Sequence, residues 1–166
     1  MNASVPARSK QNIELRRGPA KFPSSARLLR HSDFERVYKQ GRRHFSANLT
    51  VFYLPRSIAA EANRSRAAAE SAASGLRVGF TVGRALGGAV ERNRMKRRLR
   101  EVVRLSWPER APNADLVINP KKSVLKTEFD LLLNEVRRSF VVIEQKLGKD
   151  SDFGGKAERI APEAQT

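Results

Sequence analysis

An α+β fold is predicted, a two-layer α/β sandwich with element order α-β-β-α-β-α and room for one extra short strand. Three observations predict it. Residues 76 to 82 alternate apolar and small or polar side chains with a period of two. Residues 89 to 107 and 127 to 147 instead repeat their apolar residues at helical spacing. Strand-like and helix-like segments of this kind alternate along one chain, which calls for a sheet covered by helices.

Residues 1 to 24 mix Ser, Pro, Lys, Arg and Gln, and Pro6, Pro19 and Pro23 interrupt any helix. This segment reads as a disordered basic arm. Ser32-Asp33-Phe34-Glu35 has the pattern of a capping box, with Ser32 as N-cap, and Gly41 is a plausible stop. The short helix between them presents Phe34, Val37 and Tyr38 on one side. Val37 suits the core. Phe34 and Tyr38 suit either the core or display to a ligand.

Ala47 to Leu54 reads as a strand, with Leu49, Val51 and Tyr53 on one face and Thr50, Phe52 and Leu54 on the other. Either both faces are covered, or one displays an aromatic in a groove. Arg56 to Gly75 holds eight alanines and almost no large apolar side chain, and reads as a mobile insertion between strands. The next strand, Leu76 to Val82, points Leu76, Val78, Phe80 and Val82 inward and Arg77, Gly79 and Thr81 outward. Gly83, Gly87 and Gly88 form a turn containing Arg84, with neither a Walker A loop nor a dinucleotide fingerprint.

The helix that follows is the most informative stretch. Between Glu91 and Arg104 it carries seven Arg or Lys against two Glu. Met95, Leu99, Val102 and Val103 form its apolar stripe. Asn93, Arg97, Arg100 and Arg104 lie opposite, flanked by Arg94 and Arg98. Like charges one turn apart repel, so helix stability does not explain this face. Arginine's planar fork suits phosphate, and an anionic partner does explain it.

Pro108 and Pro112 break the next connection, Asp115 to Asn119 is a short apolar strand, and a last helix runs to about Leu147. Thr127 or Asp130 could cap it, and Phe129, Leu132, Leu133, Val136 and Phe140 pack it on the core. From Gly148 the chain reads as a disordered tail. The expected organisation is therefore an arm (1–24), one folded domain that carries the basic helix (25–147, with the 56–75 insertion) and a tail (148–166).

Composition agrees with a nucleic-acid partner. The 166 residues carry 33 Lys and Arg against 17 Asp and Glu, a net charge of +16, so the surface attracts polyanions. There is no cysteine, which removes disulfides and thiolate chemistry. No apolar run approaches the roughly 18 residues that span a bilayer, and no apolar signal core opens the chain, so a cytoplasmic location without a membrane partner is expected. A metal-dependent nuclease needs clustered carboxylates, but Asp33, Glu35, Glu91, Glu101 and Asp115 are scattered singly. The two histidines, His31 and His44, lie in separate elements and do not suggest an acid/base pair. No catalytic residue, protein-held metal or small-molecule substrate is expected.

Ala89-Val90-Glu91-Arg92-Asn93-Arg94-Met95-Lys96-Arg97-Arg98-Leu99-Arg100-Glu101 resembles the signature of the bacterial ribonuclease P protein component. Asp33-Phe34 with Val37-Tyr38 and Gly41, Arg77-Val78-Gly79, and the strand at Asp115 with its following helix are similar to that family too. The resemblance covers roughly 27 to 147.

It implies a protein subunit that assists a catalytic RNA in removing the 5' leader from precursor tRNA, with Mg²⁺ bound mainly by the RNA. It implies a left-handed βαβ crossover leading into the basic helix. By matching position it assigns Arg92, Asn93, Arg94, Lys96, Arg97 and Arg100 to the RNA subunit and nearby phosphates. It assigns Phe34, Tyr38, Phe52 and Arg84 to a cleft for the single-stranded leader, where aromatic faces stack bases without reading sequence. Gly83-Arg84-Ala85 stands where many members have Ser-Lys-Lys, so only Arg84 carries over. Two other readings remain open: a ribosome-associated RNA-binding protein using the same basic helix, and an autonomous nuclease.

Overall fold

The computed structural model describes residues 21–56 and 75–154, with side chains described as far as Lys149. The first twenty residues of the expected arm, residues 57–74 of the insertion and residues 155–166 of the tail lie outside the described residues. The elements in order are α1 (His31–Gln40), β1 (Arg42–Phe45), β2 (Leu49–Pro55), β3 (Arg77–Phe80), α2 (Ala89–Leu105), β4 (Ala114–Pro120) and α3 (Phe129–Gly154), with short 3-10 turns at Ser24–Ala26, Arg84–Leu86 and Lys122–Leu125. β1 is the extra short strand.

The four strands form one sheet in the order β1-β2-β4-β3. β2 runs antiparallel to β1 and to β4, with Arg43 opposite Phe52 and Val51 opposite Ile118. β3 runs parallel to β4, with Val78 beside Leu116, so β3, α2 and β4 make a βαβ crossover.

Period-two alternation sorts the sheet into two faces. Leu49, Val51 and Tyr53 of β2, Val78 of β3, and Leu116 and Ile118 of β4 are buried against α2 and α3 in the main core. α2 contributes Met95, Leu99, Val102 and Val103, the stripe expected from its spacing, and α3 contributes Leu132, Val136, Phe140 and Ile143. Phe34, Tyr38, Phe52 and Leu54 pack around Leu28, Val37 and Val117 on the opposite face. α1 covers only part of that face, and Tyr38, Thr50, Phe52 and Leu54 stay half-buried there.

Several boundaries differ from the sequence reading. Ser32 is not the N-cap of α1: the helix begins at His31, Arg30 holds the cap position, and no side chain caps it. Glu35 instead lies 3.8 Å from His31, one turn back. Residues 47 and 48 belong to the β1–β2 turn rather than to the strand, which runs from Leu49 to Pro55, and the strand expected over Leu76–Val82 is confined to Arg77–Phe80. Thr127 does not cap α3; its hydroxyl donates to the Ser123 carbonyl and contacts Asn48 Oδ1. α3 continues past Leu147 to Gly154.

The expected arm also ends earlier than residue 24, because Phe22 is buried. Its ring meets Trp107 edge-on at 5.6 Å. Beyond it, Leu28 N–H donates to the Val78 carbonyl at 3.1 Å, satisfying part of the otherwise open edge of β3.

Candidate nucleic-acid interface

The basic surface is built at the start of α2. Gly87 has φ +142°, and a Cβ there would lie 2.0 Å from Glu91 Oε2, so only glycine fits. Glu91 uses that space to accept the Gly88 N–H at 3.0 Å, which satisfies an orphan donor at the helix entrance. With the apolar stripe of α2 buried, the opposite side is left to solvent.

Asn93, Arg94, Arg97 and Arg100 are exposed there, and Arg92 and Lys96 are half-buried at its border. None of Arg94, Lys96, Arg97 and Arg100 has a carboxylate partner among the described residues. Two other arginines of the helix do have partners, so the cationic face is narrower than the sequence reading. Arg98 reaches off the helix and donates to the carbonyls of Leu125 and Thr127. Arg104 donates to both oxygens of Glu101, at 2.9 and 2.5 Å. The Arg104 hydrogen bond and charge hold the Glu101 carboxyl below the ordinary carboxylate range.

The face of the sheet beneath α1 brings the expected aromatics together. The Phe34 ring lies on Gly79, where a Cβ would come within 2.5 Å of the ring, so the missing side chain of β3 is the seat of Phe34. Tyr38 and Phe52 meet edge-to-face with centroids 4.7 Å apart. The Arg43 guanidinium stands 5.2 Å above the Phe52 ring, which adds a cation beside the aromatic pair. Arg84 is exposed in the 3-10 turn after β3. Among the described residues nothing fixes it against the aromatics.

The sequence reading did not find the ionic cluster that fastens α1 to the sheet. Arg77 was expected to face outward, but α1 lies over it and it is buried. Its Nε donates to Asp115 Oδ1 at 2.7 Å and its NH2 to Oδ2 at 2.6 Å, a bidentate pair. Arg36 of α1 donates to the same Oδ2 at 2.8 Å, and Asp33 of α1 accepts from Arg77 at 3.3 Å. Arg56 Nε lies 3.6 Å from Asp115 Oδ1. Burial works against the charge of Arg77, but the hydrogen bonds and charges of Asp115 and Asp33 outweigh it and raise its pKa above the ordinary value.

Two of the five carboxylates that looked scattered along the chain, Asp33 and Asp115, are thus shared by three arginines. The strand alternation around Arg77 carries the only hint of this, since it puts a full cation on the face that α1 must cover.

Arg56 also gathers the two ends of the insertion. Its backbone N–H donates to the Asn113 carbonyl at 2.9 Å, and its side chain donates to the Gly75 carbonyl at 3.1 Å. Asn113 Nδ2 donates to the Arg56 carbonyl at 3.1 Å. Gly75 N–H donates to Asn113 Oδ1 at 3.4 Å, so residues 56 and 75 are both pinned to one asparagine.

The "Ribonuclease P" family model matches residues 22–144. The chain is 34% identical over 131 residues to the ribonuclease P protein component of Oleidesulfovibrio alaskensis, spanning 78% of this chain and 94% of that one. It is 35% identical over 99 residues to that of Finegoldia magna, 60% of this chain and 74% of the relative. The solved RNase P protein of Staphylococcus aureus superposes with a TM-score of 0.54 at 20% identity, covering 72% of this chain and 94% of that one. That of Thermotoga maritima gives 0.52 at 21%, covering 69% and 94%. At those identities the superpositions speak for the fold, and the sequence matches speak for the family. With its Arg-Asn-Arg helix crossing between two parallel strands, this chain belongs to the ribonuclease P protein component family.

Proposed function

We propose that this protein is the RNA-binding subunit of a ribonuclease P in which an RNA subunit carries out the cleavage. The exposed side of α2 binds that RNA, and the cleft beside α1 holds the single-stranded 5' leader of precursor tRNA. The observation that carries this reading is the unpaired cationic face of α2. Arg94, Arg97 and Arg100 have no carboxylate partner among the described residues, although the same helix pairs Arg104 with Glu101. Unneutralised guanidiniums in a row match a phosphate backbone, and each one engaged releases counterion.

Phe34, Tyr38 and Phe52 suit a leader of varied sequence, since an aromatic face stacks any base for about 1–3 kcal/mol. Arg43, above the Phe52 ring, and the exposed Arg84 are assigned to the leader's phosphates. The protein's contribution is then to hold the leader and the RNA subunit in one rigid frame, which raises substrate affinity without supplying a nucleophile or a proton.

The chain's own residues do not fit a resident Mg²⁺. Among the described residues no three His, Asp or Glu stand close enough to hold a metal ion, and Asp33 and Asp115 are occupied by arginines. We therefore assign Mg²⁺ to the phosphates of the RNA subunit. Among the described residues no helix is long and apolar enough to cross a membrane.

The test is cleavage of a leader-bearing precursor tRNA at low Mg²⁺ by a bacterial ribonuclease P RNA, with and without this protein. Stimulation only when both are present is expected, and Arg92→Ala with Arg97→Ala should weaken assembly. Stimulation by the protein that does not depend on the RNA subunit would overturn the reading, as would none at all.

A further inference from the structure

The turn between β4 and α3 is basic and lies outside the surfaces assigned so far. β3 and β4 run parallel, so the chain leaves both at the same end of the sheet, and the turn that follows β4 comes to lie beside α2. Lys121, Lys122 and Lys126 are all exposed on it. Lys121 is committed, since its Nζ donates to the carbonyls of Ser46 and Ala47 at 2.8 and 3.1 Å. Lys122 and Lys126 have no carboxylate partner among the described residues, although Glu128 and Asp130 follow closely in the chain.

The backbone that carries these two lysines is held from three directions. Val124, between them, is fully buried in the main core. Lys121 N–H donates to the Asn48 carbonyl at 2.8 Å, which ties the turn to the β1–β2 connection. Arg98 of α2 donates to the carbonyls of Leu125 and Thr127, which ties it to the basic helix. Arg100, Arg97 and Arg94 follow one another at steps of three residues, each about 60° further round α2, and Arg98 stands about 40° beyond Arg94. The cations of α2 that lack a carboxylate partner thus run round the helix to the flank where Arg98 grips the turn. Lys122 and Lys126 continue that row.

We propose that Lys122 and Lys126 bind phosphates of the RNA subunit next to those bound by α2, so that the footprint of that RNA crosses from the helix onto the β4–α3 turn. This deepens the reading of α2 given above and rests on it. The side of the sheet decides which RNA is met. Val124 anchors the turn in the core beneath α2 and α3, whereas the aromatics assigned to the leader lie on the opposite face with α1. A lysine is a point charge on a flexible stem, which suits a phosphate backbone met without reading its bases.

The measurement is the affinity of the full chain for a bacterial ribonuclease P RNA across a salt series. Lys122→Ala with Lys126→Ala should lower the slope of log affinity against log salt by about 1.4–1.8 in all, at about 0.7–0.9 for each phosphate no longer neutralised, with Tm unchanged. Lys122→Arg with Lys126→Arg should keep the slope. Lys149→Ala, which removes an exposed lysine near the far end of α3, should leave it unchanged. A slope untouched by the double alanine variant, or lowered as much per residue by Lys149→Ala, would overturn the proposal, because the two lysines would then act only through net charge.

Precursor tRNA is the other source of phosphate. If the double alanine variant keeps its affinity for the RNA subunit and weakens only the binding of precursor tRNA by the assembled holoenzyme, the turn meets the substrate and the proposal fails. Arg97→Ala tests the parent reading separately. An unchanged slope in that variant would remove α2 from the interface, whereas a lowered slope there beside an unchanged one in the lysine variant removes only the turn.

Discussion

Replacing Asp115 by asparagine should be the most damaging near-isosteric change in this protein. Asp115 is 0% exposed and takes the Arg77 fork at 2.7 and 2.6 Å and Arg36 at 2.8 Å, with Arg56 Nε 3.6 Å away. Asparagine keeps the volume but removes the charge and turns an amino group towards guanidinium donors. Three cations are then left around Asp33 alone. Breaking a buried ion pair by removing one partner costs about 3–5 kcal/mol. For a domain of this size each kcal/mol lowers Tm by roughly 2–4 °C, so a fall of about 6–20 °C follows.

Urea unfolding followed by far-UV circular dichroism measures this directly, as a lower midpoint with an unchanged slope. The functional consequence is selective. Asp33 and Arg36 are the α1 side of the cluster, and α1 carries Phe34 and Tyr38. Asp115→Asn at a temperature where it stays folded should therefore weaken leader-dependent binding more than binding to the RNA subunit. A stability loss below about 1 kcal/mol with the slope unchanged would refute the argument that this cluster holds α1 in place.

Three further outcomes are expected. Gly79→Ala puts a methyl within 2.5 Å of the Phe34 ring, so the ring must leave its seat, lowering stability by about 1–3 kcal/mol and weakening leader affinity in the same variant. Arg97→Ala and Arg98→Ala, adjacent in sequence, should separate cleanly. The first should reduce the slope of log affinity for RNA against log salt by about 0.7–0.9 for each phosphate no longer neutralised, with Tm unchanged. The second should lower Tm, because it removes the hydrogen bonds to Leu125 and Thr127. His44 has a pKa held below its ordinary 6.5 by burial and by the Lys146 charge, with Glu135 opposing. The unfolded chain then binds a proton first as pH falls, so this contribution to stability is complete above about 6.5 and declines below it. His44→Gln should flatten the fall in unfolding free energy as pH drops below about 6.5, and an unchanged fall would show that other groups cause it.

The sequence by itself determined the fold class, the three helices, three sheet strands to within two residues at their ends (read at 47–54, 76–82 and 115–119, found at 49–55, 77–80 and 114–120), and the cationic side of α2. These follow from near-neighbour periodicity: Met95, Leu99 and Val102 declare a buried stripe, and whatever stands opposite must face solvent or a ligand. It also determined that Phe34, Tyr38 and Phe52 share one side of their elements. Only the tertiary structure decided which members of these sets were already engaged. Arg98 and Arg97 look alike in sequence, yet one reaches carbonyls 27 and 29 residues away and the other has no carboxylate partner among the described residues. Arg77 looked like a surface cation because its nearest anion, Asp115, is 38 residues distant in the chain. Tyr38 likewise meets Thr81 and Asn119 only across 43 and 81 residues. A side chain's period fixes the face it occupies, but its partner on that face is fixed by which strands the sheet sets side by side, and that pairing is written in no local stretch of the chain.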